Sequence, residues 1–300
     1  MDCTHPHVIR NPQTKQWMKV PCGMCIACRI AKSREWTIRL MMEKDCWDKA
    51  VFLTLTYDDE HLPHTNCGRP TLVPDHLTKF WKRVRSNMVR SGEVSCYHGS
   101  VPEGDTPPLL RYFSCGEYGD TYKRPHYHAV VFGTDFGHWF IHHWQDGKPQ
   151  YTTDKLCELW PYGFATVDFV EEHRCAYVAG YVEKKIYKDP WRYFEEFGCC
   201  VFPFQRISQG IGFGYYQDNK DDYFINLRPT IKGVSYSTPR YFLRKDDQLK
   251  TAVSFKSYEA SMSSLAKEQD AIDQGIDLYA SMRQREEDLK CKSRMKKGKL

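Results

Sequence analysis

The sequence contains no uninterrupted apolar run of the about eighteen residues that a membrane-spanning helix needs, which argues against a transmembrane segment. Its first residues, Met1-Asp2-Cys3-Thr4-His5-Pro6, lack the basic and apolar regions of a secretion leader. There is no G-x-x-x-x-G-K-[ST] phosphate loop and no internal repeat, so a built-in nucleotide-driven motor and a solenoid are both set aside. Nor is there an extreme charge: 43 basic residues against 38 acidic ones leave a formal +5. Nucleic-acid binding is permitted by that balance but not demanded by it, and the basic residues cluster at 29–39, 79–90 and 290–299. Disorder is excluded by 41% hydrophobic and 14% aromatic content. With 300 residues the chain has room for one large domain or two small ones.

What is present in excess is cysteine, with thirteen residues, an odd number. In a chain without a leader, disulfides explain these poorly. Thiolate metal ligands suit some of them, and buried thiols the rest. The expected compartment is cytoplasmic. Cys22, Cys25 and Cys28 stand three apart, just where residues 29–47 begin to read as a basic amphipathic helix. Three thiols at that spacing converge on one Zn²⁺, which takes a fourth ligand. Cys3 is the first candidate, with His5 and His7 as substitutes, and the role expected is structural.

The residues that carry chemistry lie further on. Arg124-Pro125-His126-Tyr127-His128-Ala129-Val130-Val131-Phe132-Gly133 reads as a strand that starts after a proline and stops at a glycine. Side chains alternate along a strand, so His126 and His128 share one face and Tyr127 takes the other. Two imidazoles so placed supply two nitrogen ligands to Mg²⁺ or Mn²⁺, of which Mn²⁺ tolerates imidazole better. A harder third ligand is expected from a neighbouring strand. Glu117 is the choice, at the end of the strand before His126, provided the intervening segment closes as a hairpin.

About fifty residues later comes Tyr177-Val178-Ala179-Gly180-Tyr181-Val182-Glu183-Lys184-Lys185. On a helix, Tyr177 and Tyr181 lie about 40° apart and about 6 Å along the axis, and Lys184 falls on the same face. A phenol has a pKa near 10, so a neighbouring ammonium and a metal ion favour the phenolate. The bland alternative is an aromatic stripe packed on a sheet. A metal that polarises a phosphate and a tyrosine that attacks it are together the two halves of a DNA-nicking site.

Around these motifs the expected elements are a strand at 51–57, a helix at 75–90 with Leu77, Phe80, Trp81, Val84 and Met88 inward, and a strand at 109–115. Residues 116–119 read as a turn. The histidine strand follows, then a strand at 164–170 and the tyrosine helix at 171–188. The order predicts an α+β fold: a mainly antiparallel sheet with the histidine strand central and helices packed on one face. Residues 208–216 read as a glycine-rich loop, 257–290 as charged helix, and 290–300 as a basic tail. The expected division is an N-terminal cysteine and helix unit at 1–48, an endonuclease domain at 49–190 and a C-terminal region at 191–300.

The segments FLTLTYDD (52–59), RPHYH (124–128) and YVAGYVEKK (177–185) together resemble the three motifs of rolling-circle replication initiators of the HUH endonuclease superfamily. The chain looks most like the replication initiators of microviruses, in the gokushovirus branch. The resemblance covers about residues 20–215. It implies a metal-dependent enzyme in which one tyrosine attacks a phosphate at the origin and becomes linked to the DNA 5′ end. The free 3′-hydroxyl then primes synthesis, and the second tyrosine cleaves the regenerated origin so that a circle closes. The implied partners are single-stranded or supercoiled circular phage DNA, a host helicase for unwinding and a host DNA polymerase, in the host bacterial cytoplasm and with no membrane. Two rival readings stand beside it. One is a plasmid or conjugative relaxase with the same chemistry. The other is a non-catalytic zinc-containing nucleic-acid-binding protein whose sheet displays aromatics such as Tyr127 to bases.

Overall fold

The computed structural model describes residues 3–10, 15, 17–119, 121–145, 147–184, 198–231 and 233–297, with backbone alone at 181–184, 226, 231, 234, 255, 257–262 and 294–297. The chain divides into two compact units, one of Trp36–Lys220 and one that joins Met1–Glu35 to Asp221–Leu300. In the second unit, β1 (His7–Arg10) and β2 (Trp17–Val20) pair as an antiparallel ribbon, and α1 (Ile26–Lys44) begins shortly after them.

The larger unit is built on a sheet of seven strands. They are β3 (Ala50–Thr56), β4 (Arg111–Tyr118), β5 (Pro125–Phe132), β6 (Phe140–Gln145), β7 (Lys148–Thr152), β8 (Ala165–Phe169) and β9 (Phe204–Ile207). Their spatial order is β6-β7-β8-β3-β5-β4-β9, and every neighbouring pair is antiparallel. Strand β5 therefore lies inside the sheet, between β3 and β4. Alternation then sorts its residues: Tyr127, Ala129 and Val131 face one side with Val51, Leu53 and Leu55 of β3, while His126 and His128 face the other.

Helices α2 (Pro74–Arg90) and α3 (Asp154–Leu159) cover the first side. The buried face of α2 is Leu77, Phe80, Trp81, Val84 and Met88, the set its periodicity selects. Trp81 stacks on Tyr112 with ring centres 3.9 Å apart. Tyr127, 0% exposed, has its hydroxyl 2.7 Å from that of Tyr57 and donates to the Val73 carbonyl. It belongs to the core, so the reading in which Tyr127 is displayed to bases is corrected.

The α+β class and the antiparallel sheet are as the sequence predicts, but helices cover both faces rather than one. On the histidine side, Trp36 of α1 lies edge-on to Phe113, 5.1 Å between ring centres, and α4 (Glu172–Lys184) packs over β4 and β5. The reason is legible in β5 itself. From Ala129 to Phe132 it is apolar on both faces and fully buried, the pattern of a strand that is covered twice.

Other differences are local. Strand β4 runs on to Tyr118 instead of ending at Cys115, because residues 116–118 stay in register with β5 and Gly116 with Phe204 of β9. The turn falls later, where the Lys123 N–H donates to the Gly119 carbonyl. The ribbon β6–β7 is not among the expected strands; its signal was the dipeptide Asp146-Gly147 between two strand-like runs. The glycine-rich loop ends earlier than expected, in α5 (Phe213–Asp218), with Gly212 at φ 75° capping it. A Cβ at Gly212 would lie 2.9 Å from the Arg39 carbonyl oxygen. Then follow α6 (Lys220–Asn226), the short pair β10 (Thr230–Ile231) and β11 (Val234–Ser235), and α7 (Arg240–Leu243). The charged C-terminal stretch forms two helices, α8 (Asp247–Asp273) and α9 (Leu278–Lys297). Among the described residues, no helix is long and apolar enough to cross a membrane.

One buried charge ties the larger unit together. Glu43, 0% exposed, accepts from Arg111 Nη1 at 2.9 Å, from Trp47 Nε1 at 2.7 Å and from the Gly212 N–H at 2.6 Å. Each donor comes from a different segment, so the carboxylate links the end of α1, β4 and the glycine loop. Glu43→Ala strands Arg111 without its charge partner and is expected to cost about 3–5 kcal/mol of unfolding free energy. Chemical denaturation checks this, and a loss below about 1 kcal/mol contradicts it.

Candidate metal and tyrosine site

Strand register places the site. In the β4–β5 ladder, Glu117 is directly opposite His126 and Cys115 opposite His128; in β3–β5, Thr56 and Thr54 stand opposite the same two histidines. Two adjacent cross-strand rows on one face thus bring together a carboxylate, two imidazoles and two hydroxyls. Glu117 Oε1 is 3.0 Å from His126 Nε2 and 3.3 Å from His128 Nε2. The ligand atoms of all three residues lie within 4.8 Å of one another. Glu117 is 4% exposed, so water does little to stabilise its charge. Burial alone would push its carboxyl up, but hydrogen bonds from His126 and His128 reverse this and hold it well below the usual carboxylate range.

The remaining ring nitrogens decide how the imidazoles are used. His126 Nδ1 lies 3.1 Å from the Arg124 carbonyl, which only accepts, so Nδ1 carries the proton. Its Nε2 then points a lone pair at a carboxylate oxygen, an arrangement that needs a second proton or a metal ion between the two. Thr54 Oγ1 engages His128 Nδ1 at 3.1 Å, again turning Nε2 toward Glu117. These are the outer partners that orient metal-binding histidines. Two ligands at right angles on an ion about 2.1 Å away are separated by about 3.0 Å, so the observed spacing suits a small divalent cation. The donor set of two nitrogens and one carboxylate fits Mn²⁺ better than Mg²⁺.

Helix α4 brings the tyrosine. Cys175, Val178 and Ala179 are its buried residues, and Tyr177 sits about 200° round the helix from Cys175, 37% exposed. Arg174 anchors the helix start by pairing with Asp168 of β8 and lying over the Phe52 ring at 5.1 Å. The Tyr177 hydroxyl reaches the cluster, donating to Glu117 Oε1 at 3.3 Å and lying 3.5 Å from His128 Nε2. Its ring meets that of His128 edge-on at 5.2 Å. The backbone of α4 continues through Tyr181 and Lys184, but their side chains lie outside the described residues, as does Lys185.

Beside His126 opens a cleft of about 350 Å³ lined by Thr56, Tyr57, Arg124, Pro125 and Phe164. Phe164 is 51% exposed there. Arg124 is held at the rim by the Tyr57 carbonyl at 2.9 Å and by Asp59 at 2.7 Å. The sequence reading assigned no role to Thr54, Arg124 or Phe164. For Thr54 the signal was present: it is two residues from Thr56 in a strand whose other face is wholly apolar.

A second cluster lies in the other unit, where Cys3, Cys22, Cys25 and Cys28 bring their sulfurs within 4.8 Å of one another. Burial pushes the Cys28 thiol up to about 12, and the sulfurs of Cys25 and Cys3 add to the rise. Four thiols this close do not all ionise without a cation among them.

Known proteins resemble this chain across the same region. The family of the replication-associated protein ORF2 matches residues 50–186, a span that takes in β3, β4, β5 and α4. The replication-associated protein ORF2 of Spiroplasma virus 4 is 33% identical over 237 residues, covering 75% of this chain and 67% of its own length. The replication-associated protein VP4 of Bdellovibrio phage phiMH2K is 36% identical over 167 residues, 55% of this chain and 48% of that protein. The replication-associated protein ORF4 of Chlamydia phage 1 is 29% identical over 249 residues, 77% of this chain and 54% of that protein. The chain thus spans from about half to two thirds of the length of these relatives. No solved structure matches it.

The geometry makes a test that does not depend on activity. His126→Ala, His128→Ala and Glu117→Ala are each expected to abolish tight Mn²⁺ binding, followed by electron paramagnetic resonance of the free ion. Thr54→Val, which removes only the outer partner of His128, should weaken binding about 10-fold. Unchanged Mn²⁺ affinity in His128→Ala contradicts the assignment.

Proposed function

The chain belongs to the microvirus-like family of replication-associated proteins that includes ORF2 of Spiroplasma virus 4, and from that premise we propose that it is the nicking and joining endonuclease that initiates rolling-circle replication. One observation carries the reading: the Tyr177 hydroxyl, 3.3 Å from Glu117 and 3.5 Å from His128, lies against the three-ligand cluster. The substrate is a circular phage genome, cut at its origin in single-stranded form. The catalytic part is the domain at 49–190, nearly the span that the family matches.

A divalent ion held by Glu117, His126 and His128 supplies charge stabilisation to the phosphate oxygens when bound. The rest falls to the chain's own groups. Tyr177 Oη attacks phosphorus, its proton passing to an acceptor such as the adjacent carboxylate or to water. The bond to the 3′ oxygen breaks, that oxygen takes up a proton, and phosphorus remains on the phenol as a 5′-phosphotyrosyl ester. The ester keeps the energy of the broken bond, so rejoining by a 3′-hydroxyl needs no ATP. That hydroxyl meanwhile primes the host polymerase, while a host helicase opens the duplex. Tyr181, one helical turn on, serves the second cleavage while Tyr177 is occupied, and Lys184 on the same helix face favours the phenolate. Phe164 offers an exposed ring for a base next to the cut phosphate, and Arg124 a positive rim. These steps belong to the host bacterial cytoplasm.

An aromatic that merely packs loses little when its hydroxyl goes, and this separates the reading from its rival. Tyr177→Phe and Tyr181→Phe are each expected to retain some single-turnover nicking of origin DNA with Mn²⁺. Each should fail to release closed circles in a coupled replication reaction, and the double variant should form no covalent adduct. Closed circles at near-normal yield from either single variant would remove the two-tyrosine scheme.

A further inference from the structure

We propose that Cys3, Cys22, Cys25 and Cys28 bind one structural Zn²⁺, and that this ion is what holds the β1–β2 ribbon to the chain. The ribbon has little else to support it. All four side chains of β1 are exposed, as are three of the four in β2, with Val20 half-buried. Lys19 pairs with Glu268 of α8, but both side chains are solvated, and such a pair contributes at most about 1 kcal/mol. A two-stranded hairpin without a buried face is marginal in water. Its open end, however, is bracketed by thiols. Cys3 precedes β1 and Cys22 follows β2, and the Cys22 N–H donates to Cys3 Sγ at 3.3 Å. Cys25 and Cys28 stand at the start of α1, so four sulfurs from three segments meet where the ribbon joins the helix.

The local geometry is that of a metal knuckle. Zinc–thiolate bonds of about 2.3 Å in a tetrahedron set sulfurs about 3.8 Å apart. Cys3 and Cys25 are 3.7 Å apart, and all four sulfurs lie within 4.8 Å of one another. Backbone donors already face the sulfurs: the N–H groups of Met24 and Cys25 point at Cys22 Sγ at 3.4 and 3.2 Å. That turn requires Gly23 at φ 74°, a conformation in which a side chain is strained. Four sulfurs favour zinc over Mg²⁺ or Mn²⁺, and four thiolates leave no open position, so the ion is structural rather than catalytic.

The test uses the full chain, purified without added metal and dialysed. Elemental analysis should find about one zinc per chain, retained in the His126→Ala/His128→Ala variant and lost in Cys22→Ser/Cys25→Ser. Replacement by Co²⁺ should give the intense absorption of tetrahedral cobalt thiolate. To separate loss of the ion from loss of the fold in the cysteine variant, the second measurement is made on the wild-type chain, with and without a strong chelator. Hydrogen exchange at amides 7–10 and 17–20 should quicken at least about 10-fold on chelation, while the β3 and β5 amides stay protected. Zinc below about a tenth per chain, iron in its place, or ribbon protection unchanged after complete zinc removal would each overturn the proposal.

Discussion

A carboxylate as deeply buried as Glu117 has to be met by cationic or hydrogen-bonding groups, and in this fold the meeting is imposed by strand register. Glu117 stands opposite His126 because β4 and β5 are neighbours in the sheet, and His128 follows on the same face because a strand repeats every two residues. A slip of one residue in β5 would turn both histidines into the core and bring Tyr127 out to the site. The hydrophobic set of Tyr127, Ala129 and Val131 beneath α2 and α3 forbids that slip. Core packing and site geometry are therefore one constraint, applied to the two faces of a single strand.

The second half of the site depends on a different element and a looser contact. Tyr177 reaches the cluster from a half-exposed position on α4, whose buried residues lie round the back of the helix. The helix is set by the Arg174–Asp168 pair and by Arg174 lying over Phe52, so β8 and β3 fix where the tyrosine stands. A rigid metal cluster approached by a half-exposed phenol suits a reaction in which the nucleophile carries away a long covalent cargo. It also suits exchange between two tyrosines one turn apart, which a nucleophile buried in the core would not permit.

Much of this was legible in the sequence, for reasons that can be named. Helix α2 was legible because five apolar residues repeat at helical spacing, and the histidine strand because a proline and a glycine bound an apolar run. The position of Glu117 followed from hairpin closure, although the strand runs through it rather than ending before it. What escaped was whatever depended on contacts distant in sequence. Helices on the histidine face are demanded by Phe52, Phe113 and Val130, which come from three strands whose shared face no local pattern reveals. Thr54 supports His128 across 74 residues, and Arg124 acts through its backbone carbonyl, which carries no residue signature. The β6–β7 ribbon is mostly exposed, so it lacks the alternation that marks a half-buried strand.

The most direct measurement is the identity of the residue that carries DNA. Single-stranded origin DNA is incubated with the protein and Mn²⁺, the adduct is digested, and the DNA-linked peptide is mapped by mass spectrometry. The account predicts a phosphotyrosyl link to the 5′ end through Tyr177, with Tyr181 as the second site, formed only when Glu117, His126 and His128 are intact. A linked peptide that lacks both tyrosines, a link to the 3′ end, or an undiminished adduct in His128→Ala would contradict it.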